Sequence, residues 1–561
     1  MKQTRDVQPD RVLHAETGRF STNFFESDLI LQDYLRRHIP EPARKFMMPK
    51  WDHLGERAAV EMDELSLQAD RNGPELVKRN RWGEDINEIR FHPSYWTLMD
   101  YAAESEMIRI NWDLECRNRF RGVTQSLSFV SGYLFSLSEM GQYCPLCMTD
   151  GAALLIDRYA DEETRKRLMP GFAKKKGKSL LTGAMYLTEK SGGSDVGANL
   201  LEARHESDKW YRLYGEKWFC SNANAGAAMV LARTDPDKPG TRGLSLFLLE
   251  PRLPDGTSNP VDVVRLKDKM GVRSMPSAEC RFNGTRAWMI GEEFQGMKMM
   301  LEMINLSRLY NSVAGMAGIR RAQVEAYQFA LQRRTFGKDL IDHALLREKL
   351  HELGALHLGS FLLTWRTTRA MEAAWQGDES EAQRVRMLIP MAKWWTAEKA
   401  VYAAREAMEL MGGIGYIEDQ ILPKLFRDVN VLPIWEGSGN IIVLDMLRAM
   451  EKSEGLKLLG EELDGLIQSG KPDEVLQAEA EQIFDRLEKL RSMSQHEREA
   501  TAKPLFLRLI HLYQAALLKI EDKEWAEIAL DWYRDRVIRP AGEKITPISR
   551  EQVEVLTGWK I

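Results

Sequence analysis

The carboxylate of Glu436 stands in a W-E-G-S-G-N stretch that follows a helix break at Pro433. A carboxyl group in a loop against an aromatic side chain loses hydration, and burial of this kind raises its pKa toward the working range of a general base. A second interpretation uses the same residues differently: Ser438 or Asn440 caps the following helix and Glu436 is solvated. The local sequence leaves both interpretations open.

A glycine-rich turn supplies a second candidate site. An apolar strand runs into Thr188 and is followed by Gly192, Gly193, Ser194 and Asp195. Backbone N–H groups and hydroxyls in such a turn can face a phosphate or pyrophosphate, although many turns of this composition are ordinary loops. No G-x-G-x-x-G or P-loop pattern follows a strand, so a Rossmann dinucleotide site and a P-loop are not predicted.

Two further segments carry ligand-binding residue types. The Gly412-Gly413 pair ends a helix, where it can approach a ligand or form a Schellman-type stop. Arg333 begins a basic and aromatic turn, R-R-T-F-G, in which an arginine could pair with phosphate.

The cysteines and histidines predict neither a metal site nor a disulfide framework. Five cysteines in a long chain are too few and too scattered for disulfides, which favours a reducing, cytoplasmic setting. Cys144 and Cys147 form a C-x-x-C, but no second pair accompanies it, so we interpret both as packed side chains. His351 and His357 are six residues apart and miss the i, i+4 spacing of a helical metal site.

These residues must be positioned by several domains, since 561 residues correspond to three or four. Periodicity is helical from about residue 24 to 175, strand-like from about 179 to 291, and helical again to the end. The strand-like runs lack helical crossovers, which predicts an antiparallel sheet or small barrel. Leu346, Leu350, Leu353 and Phe361 share one face of a long helix, as in a bundle.

Composition narrows the partners. Hydrophobic residues make up 44% and charged residues 29%, and no apolar run is long enough to span a membrane. The N-terminus is polar and predicts no secretory signal. The net charge is -5, and residues 451–561, with 17 basic and 22 acidic side chains, account for it. Nucleic acid is therefore not the predicted partner.

Six motifs in a fixed order carry a resemblance: T-E-x-x-x-G-S-D-V, G-E-K-x-x-x-S-N, K-M-G-x-R-S, R-x-x-F-G, G-G-x-G and W-E-G-S. This order, from about residue 85 to 450, resembles the acyl-CoA dehydrogenase flavoproteins. The segments F-H-P-S-Y-W, K-W-F and L-M-G-G-I-G-Y look like the AidB-type branch, as does the additional C-terminal helical segment.

The resemblance implies a multidomain α+β fold. Its predicted parts are an N-terminal extension (1–84), an N-terminal helical domain (85–178), a middle antiparallel β domain (179–292), a C-terminal four-helix bundle (293–450) and an extra helical domain (451–561). It also implies FAD between the β domain and the bundle, in a homotetramer.

The resemblance assigns FAD contacts residue by residue. The residues on the β-domain side are Leu187 and Thr188 at the flavin ring, Phe219 at the shielding aromatic position, Ser221 near N5, and Gly193 and Ser194 at the pyrophosphate. Those on the bundle side are Ser438 and Asn440, with Arg333, Phe336, Gly412 and Gly413 contacting the ADP part from a neighbouring subunit. Ala344 and Glu409 replace glutamines that are usual there, which weakens the expected inter-subunit contacts.

Glu436 falls at the position of the family's general base. The implied reaction is α,β-dehydrogenation of an acyl-CoA to a trans-2-enoyl-CoA, in which a carboxylate removes the α-proton while hydride passes to flavin N5. Some branches carry the base before a helix arginine, but that position here is Ser307, before Arg308. Arg308 is expected at the rim of the acyl-CoA site, with Ser194 and Trp435 as further substrate contacts.

The resemblance also implies partners and alternatives. Electron-transfer flavoprotein is the expected electron acceptor, fatty acid metabolism is the expected setting, and a direct oxidase is a variant of the same chemistry. The alternative function is an AidB-like flavoprotein of the DNA-alkylation response that binds nucleic acid. Only a local cluster, Arg534, Arg536 and Arg539, offers the basic surface that this needs, and its ordinary interpretation is a solvated helix end. A third alternative is an acyl-CoA or fatty-acid binder with little turnover.

Overall fold

The computed structural model describes residues 21–538 and 547–560. Residues 1–20, where the sequence predicts no secretory signal, lie outside the described residues, as does Arg539. The described chain is mostly helical with a β-rich middle, so the predicted fold class is confirmed.

Helices and one hairpin form the N-terminal part. Its helices are α1 (Phe24–Ser27), α2 (Leu29–His38), α3 (Glu41–Val60), α4 (Met62–Arg71), α5 (Pro93–Glu104), α6 (Arg109–Trp112), α7 (Leu114–Arg119), α8 (Thr124–Ser136), α9 (Tyr143–Tyr159) and α10 (Glu162–Phe172). Strands β1 (Glu75–Arg79) and β2 (Asp85–Arg90) pair as a hairpin whose turn contains residue 84, the predicted boundary. The helical interpretation misses this hairpin, because its exposed, polar strands lack apolar alternation.

Seven strands form the middle β domain. They are β3 (Gly183–Tyr186), β4 (Glu202–Ser207), β5 (Trp210–Ser221), β6 (Ala227–Arg233), β7 (Leu244–Leu249), β8 (Asp262–Leu266) and β9 (Ser277–Ile290). Neighbours pair in the order β3-β6-β4-β5-β9-β7, β8 adds to β9, and β7 also pairs with β6. That last pairing closes the sheet into a small barrel with its own buried core. Most pairs are antiparallel as predicted, but β3 and β4 each pair parallel with β6.

Long helices form the bundle that follows. They are α11 (Gly296–Gln332), α12 (Ala344–Trp375), α13 (Glu379–Met411), α14 (Ile421–Val429) and α15 (Gly439–Lys452), with a two-residue hairpin of β10 (Arg334–Thr335) and β11 (Lys338–Asp339) between α11 and α12. The predicted apolar face of α12 is buried, with Leu346, Leu350, Leu353 and Phe361 all at most 8% exposed.

The C-terminal helices are α16 (Gly455–Gln468), α17 (Glu474–Ser492), α18 (Gln495–Lys519), α19 (Glu524–Trp532) and α20 (Arg550–Thr557), with a π-helical turn at Tyr533–Ile538. Their apolar side chains join one continuous core with the N-terminal helices and the bundle. After α20 the chain returns to the start of α2, where Leu29 N donates to Gly558 O at 3.0 Å and Lys560 N to Ser27 O at 2.8 Å. This segment is therefore built into the body of the protein.

Candidate functional site

Glu436 lies in a tight turn between α14 and α15. The backbone N–H groups of Ile434 and Trp435 both donate to Val431 O, at 2.9 and 3.1 Å. Glu436 itself has φ of 56° and Gly437 has φ of 99°. A non-glycine residue in the left-handed region is strained and persists only where its surroundings enforce it, which is common at functional sites.

Two buried cations hold this turn from below. Arg308 on α11 donates through Nε to Glu436 O at 3.1 Å, and Lys393 on α13 donates through Nζ to Gly437 O at 2.6 Å. The Arg308 guanidinium also pairs with Asp445 on α15 at 2.7 Å. Arg308 is 7% exposed, so the structure places it beneath the Glu436 turn and not at an open rim. A direct contact between Arg308 and substrate stays a prediction.

The Glu436 side chain lines a narrow pocket between α9 and α11. The other lining residues are Met140, Tyr143, Cys144, Cys147, Met148, Val272, Ser307, Tyr310, Asn311, Ala314, Leu432 and Trp435. The pocket has a free volume of about 20 Å³. Carboxylate and pocket therefore combine a proton acceptor with a largely apolar wall, the usual composition of a small-molecule site.

Burial raises the pKa of Glu436 above its ordinary value, opposed by a hydrogen bond from Ser307 and by the nearby charges of Lys393 and Arg308. These are the two influences that a general base needs, since they move the carboxyl toward neutral pH while favouring the ionised form. Ser307, at the helix position that holds the base in other branches, is thus a hydrogen-bond partner of the carboxylate.

Both interpretations of the W-E-G-S-G-N stretch contain part of the answer. Ser438 occupies the N-cap position of α15, although its side chain makes no capping hydrogen bond. Glu436 nevertheless lines the pocket, with Trp435 beside it. Asn440 is exposed in the first turn of α15.

The C-x-x-C pair contributes packing. Cys144 and Cys147 are 7% and 5% exposed and unbonded to each other. Burial, with the negative charge of Glu436 nearby, raises the pKa of Cys144 to about 12 and that of Cys147 well above its ordinary value. Neither thiol is a thiolate near neutral pH, which agrees with the interpretation of both as packed side chains.

A buried polar cluster borders the pocket on the side of Tyr310. The Tyr310 hydroxyl donates to Asp150 at 2.8 Å, and the same carboxylate accepts from Trp112 Nε1 at 2.6 Å and from Asn111 and Gln125 at 3.3 Å. This cluster fixes one wall of the pocket, because a ring tied at its hydroxyl cannot swing aside without breaking a buried hydrogen bond.

The residues predicted at the flavin ring lie on a braced loop after β3. Lys217, on β5, is fully buried and places Nζ 2.7 Å from Glu189 and 3.0 Å from Leu187 O. The Glu189 carboxylate also accepts from the backbone N–H groups of Leu200 and Leu201 at 2.6 and 3.1 Å. Thr188 O accepts from Trp218 N at 2.8 Å. Leu187 and Thr188 are therefore held rigidly at one edge of the barrel.

The surface beside this loop fits a flavin. Phe219 is 51% exposed on β5, so an aromatic face stands open, and Ser221 near it is partly exposed. Within the described residues, Asn199 Oδ1 and Asn222 Oδ1 are buried and have no hydrogen-bond partner. An open aromatic face, hydroxyls and a neutralised Glu189 suit the stacking and hydrogen bonding of an isoalloxazine ring.

The remaining predicted cofactor residues are exposed. Gly193 and Ser194 lie on the turn after Glu189, and Arg333 and Phe336 lie on the β10–β11 hairpin, where Phe336 is 98% exposed with φ of 50°. Gly412 and Gly413 form an exposed turn with φ of 65° at Gly412, and a Cβ at either glycine would meet no atom within 4 Å. The single chain leaves these groups free for contact with a partner.

Sequence reasoning missed the Glu189–Lys217 pair and Lys393. The first has a sequence signal, since the two charges stand inside the T-E and G-E-K motifs; Lys393 has none, because a lysine within a long helix is usually solvated. Two arginines of the basic cluster are paired: Arg534 with Asp473 and Asp531, and Arg536 with Glu348.

Two searches of the described part of the chain were negative. No helix there is long and apolar enough to cross a membrane. No group of three or more potential ligands from His, Cys, Asp and Glu comes together there to hold a metal ion.

Family models match in the order expected from the architecture. They are the adaptive response protein AidB N-terminal domain over residues 18–176, the acyl-CoA dehydrogenase middle domain over 184–285 and the acyl-CoA dehydrogenase C-terminal domain over 295–451. The chain belongs to the acyl-CoA dehydrogenase family, in its AidB-type branch, and is an oxidoreductase acting on acyl-CoA. The cofactor of this family is FAD.

Full-length relatives support the assignment. The chain is 34% identical over 453 residues to the putative acyl-CoA dehydrogenase AidB of Escherichia coli, covering 78% of this chain and 79% of the relative. It is 31% identical over 533 residues to acyl-CoA dehydrogenase family member 11 of Caenorhabditis elegans, covering 90% and 86%. The crystal structure of C. elegans ACDH-11 in complex with C11-CoA superposes with a TM-score of 0.84 at 30% identity, covering 95% of each chain.

Proposed function

We propose that this protein dehydrogenates an acyl-CoA thioester at the α and β carbons, with Glu436 as the base. The observation that carries the proposal is the Glu436 carboxylate itself, which lines the pocket in a strained turn held by Arg308 and Lys393. The C. elegans relative, whose structure contains C11-CoA, supports an acyl-CoA in this pocket.

The proton is the part of the reaction that this chain handles directly. A thioester α-proton is only moderately acidic, so its removal needs a carboxylate with a pKa close to the working pH. Burial raises the pKa of Glu436 in that direction, and the Ser307 hydroxyl stabilises its ionised form. After accepting the proton, the neutral carboxyl is the form that the apolar pocket favours.

The thioester oxygen also needs donors, because negative charge develops there as the α-proton leaves. Within the described residues the backbone N–H of Glu436 donates to no other group. The two carbonyl anchors at Glu436 and Gly437 fix the orientation of the peptides in this turn. We therefore assign the Glu436 N–H as a donor to the thioester oxygen.

FAD, when bound, supplies the acceptor for the β-hydrogen as hydride. The residues that would hold it are Leu187, Thr188, Phe219 and Ser221 on the β domain, with Ser438 and Asn440 at the start of α15. Gly193 and Ser194 would face the pyrophosphate, and Arg333, Phe336, Gly412 and Gly413 of a neighbouring subunit would hold the ADP part. The exposure of Phe336 and of the Gly412-Gly413 turn supports a homotetramer built in this way.

Other assignments stay predictions. Electron-transfer flavoprotein is the predicted acceptor, and fatty acid metabolism in the cytoplasm is the predicted setting. Nucleic-acid binding is not proposed, because Arg534 and Arg536 are engaged with acidic side chains and the C-terminal segment is acidic overall.

The test is anaerobic reduction of the FAD-loaded protein by acyl-CoAs of graded chain length, followed by loss of flavin absorbance. We expect bleaching by at least one acyl-CoA, and a rate about 10²- to 10⁴-fold lower in Glu436→Gln. Glu461→Gln, which alters an exposed glutamate on α16, is the control and should match the unmodified protein. Binding without bleaching would favour an acyl-CoA binder, and rapid reoxidation in air would identify an oxidase.

A further inference from the structure

Lys393 is a buried lysine for which the proposed reaction has no role so far. Its side chain is 1% exposed, and its ammonium donates to Gly437 O at 2.6 Å. Among the ion pairs of the described residues, none with an N–O distance up to 4.0 Å involves Lys393. A buried ammonium without a contacting carboxylate is unusual, because removing the charge from water is expensive.

The geometry explains where this charge is used. Arg308 and Lys393 come from different helices and anchor the carbonyls of two successive residues, Glu436 and Gly437, both of which have positive φ. Removing either donor would leave a buried carbonyl unpaired and release one side of a strained turn.

The charges around Lys393 come from four elements. Glu436 in the turn and Glu398 on α13 attract its ammonium, while Arg308 on α11 repels it. Asp445 on α15 already pairs with Arg308. Glu436 is therefore the carboxylate near Lys393 that lines the pocket.

We propose that Lys393 is a positioning residue for the base, which anchors the Glu436–Gly437 turn through the Gly437 carbonyl and keeps the Glu436 carboxylate ionised through its positive charge. This inference rests on the proposed function of Glu436. It assigns Lys393 no contact with substrate.

The proposal has a signature in the pH dependence of the reaction. Loss of the positive charge disfavours the ionised carboxyl, so the pKa of Glu436 must rise and the acidic limb of the rate profile must move to higher pH. Burial, reinforced by Arg308, lowers the pKa of Lys393 to about 7. The unmodified protein should accordingly lose the support of this charge as pH rises through 7, whereas an arginine at 393 should retain it.

The experiment measures the limiting rate of flavin reduction and the Kd of the acyl-CoA from pH 5 to 9 for three variants. Lys393→Met removes the donor and the charge, Lys393→Gln keeps a donor without the charge, and Lys393→Arg keeps both. We expect the first two to shift the acidic limb upward and lower the rate near neutral pH about tenfold, as one pKa unit implies, with little change in Kd. Lys393→Arg should restore the limb.

Lys399→Met is the matched control, since it removes a lysine from the same helix whose ammonium lies over the Trp395 and Tyr402 rings, away from the turn. An unshifted acidic limb in both Lys393→Met and Lys393→Gln would overturn the proposal. So would a limb that shifts equally in Lys399→Met.

A second measurement needs no turnover. In Glu436→Cys the thiol reports the local field, because only its thiolate is alkylated by iodoacetamide. Mass spectrometry of the peptide containing residue 436 should show alkylation near pH 7 about tenfold slower when Lys393→Met or Lys393→Gln is added. Equal rates would overturn the role of Lys393. If no acyl-CoA reduces the flavin, the proposed function fails, and this measurement still decides the inference.

Discussion

The buried ammonium of Lys217 lies 2.7 Å from the carboxylate of Glu189, and together they brace the loop that the flavin ring would contact. Lys217 is fully buried and Glu189 is 6% exposed, so water screens neither charge. The pair joins β5 to the turn after β3, and it also fixes Leu187 O and the N–H groups of Leu200 and Leu201. Two motifs that look separate in the sequence are one structural unit.

Breaking this pair should release FAD. Lys217→Met leaves the Glu189 carboxylate buried without its cation, which typically costs about 3–5 kcal/mol. We expect the loop to rearrange and the flavin content of the purified protein to fall below half, measured as the ratio of flavin to protein absorbance. Lys190→Met removes a neighbouring exposed lysine that pairs with Glu216, and should keep its flavin. Full flavin content in Lys217→Met would contradict the bracing role.

Ser307→Ala should move the pH dependence of the reaction. The Ser307 hydroxyl stabilises the ionised carboxyl, so its removal raises the pKa of Glu436 further, and the acidic limb should shift to higher pH. The expected loss is several-fold at pH 6 and small at pH 8, where the carboxyl is ionised in both proteins. Stopped-flow flavin reduction across this range measures it.

The control for this shift is Ser312→Ala. Ser312 is a fully buried serine on the same helix, and its hydroxyl donates to the Arg308 carbonyl at 2.9 Å. A limb that moves equally in both variants would mean that the effect comes from loosening α11.

The sequence predicts the base and the order of the domains because both depend on local patterns. Glu436 is flanked by an aromatic residue and glycines within six residues, and the change from helical to strand-like periodicity near residue 179 needs no tertiary information. The predicted break agrees with the start of β3 at Gly183.

The contacts that tune the site depend on distant parts of the chain. Lys393 is 44 residues from Gly437, and Lys217 is 28 residues from Glu189. Helix periodicity can place Lys393 on a face of α13 but does not specify which turn packs against that face. The β1–β2 hairpin is missed for another reason, since its polar strands are held by backbone pairing and carry no apolar pattern.

Glu372 should make stability fall as pH rises. Its carboxyl accepts from Ser126 N and Ser126 Oγ, both at 2.7 Å, and burial raises its pKa from 4.5 to about 7. The folded state therefore holds this proton more tightly than the unfolded state. The stabilising contribution is complete below pH 4.5 and is lost as pH rises through 7, amounting to about 3 kcal/mol.

Glu372→Gln provides the measurement. The amide can keep both contacts to Ser126 without ionising, so the Tm of the unmodified protein should fall relative to that of the variant between pH 5 and pH 8. A difference in Tm that stays constant over this range would show that Glu372 ionises in the folded protein as it does in water.

The C-terminal segment should be required for stability through its hold on Asp28. The Asp28 carboxylate and the Arg320 guanidinium are both fully buried and 2.9 Å apart, and the Tyr133 hydroxyl donates to the same carboxylate at 2.7 Å. Arg320 also donates to Thr557 O at 2.6 Å, so the segment after α20 closes over the ion pair.

Asp28→Asn leaves Arg320 buried without its counter-charge and should destabilise the protein by about 3–5 kcal/mol, seen as a lower Tm. Removal of residues 547–561 should lower the Tm as well, because it exposes the pair and strips Trp559 from Phe24, whose ring centroids are 5.5 Å apart. Asp485→Asn, which breaks an exposed pair with Lys489, should change the stability by less than about 0.5 kcal/mol. If the truncated chain kept its Tm, the C-terminal segment would be an appendage, and the buried pair would be sealed by the N-terminal helices alone.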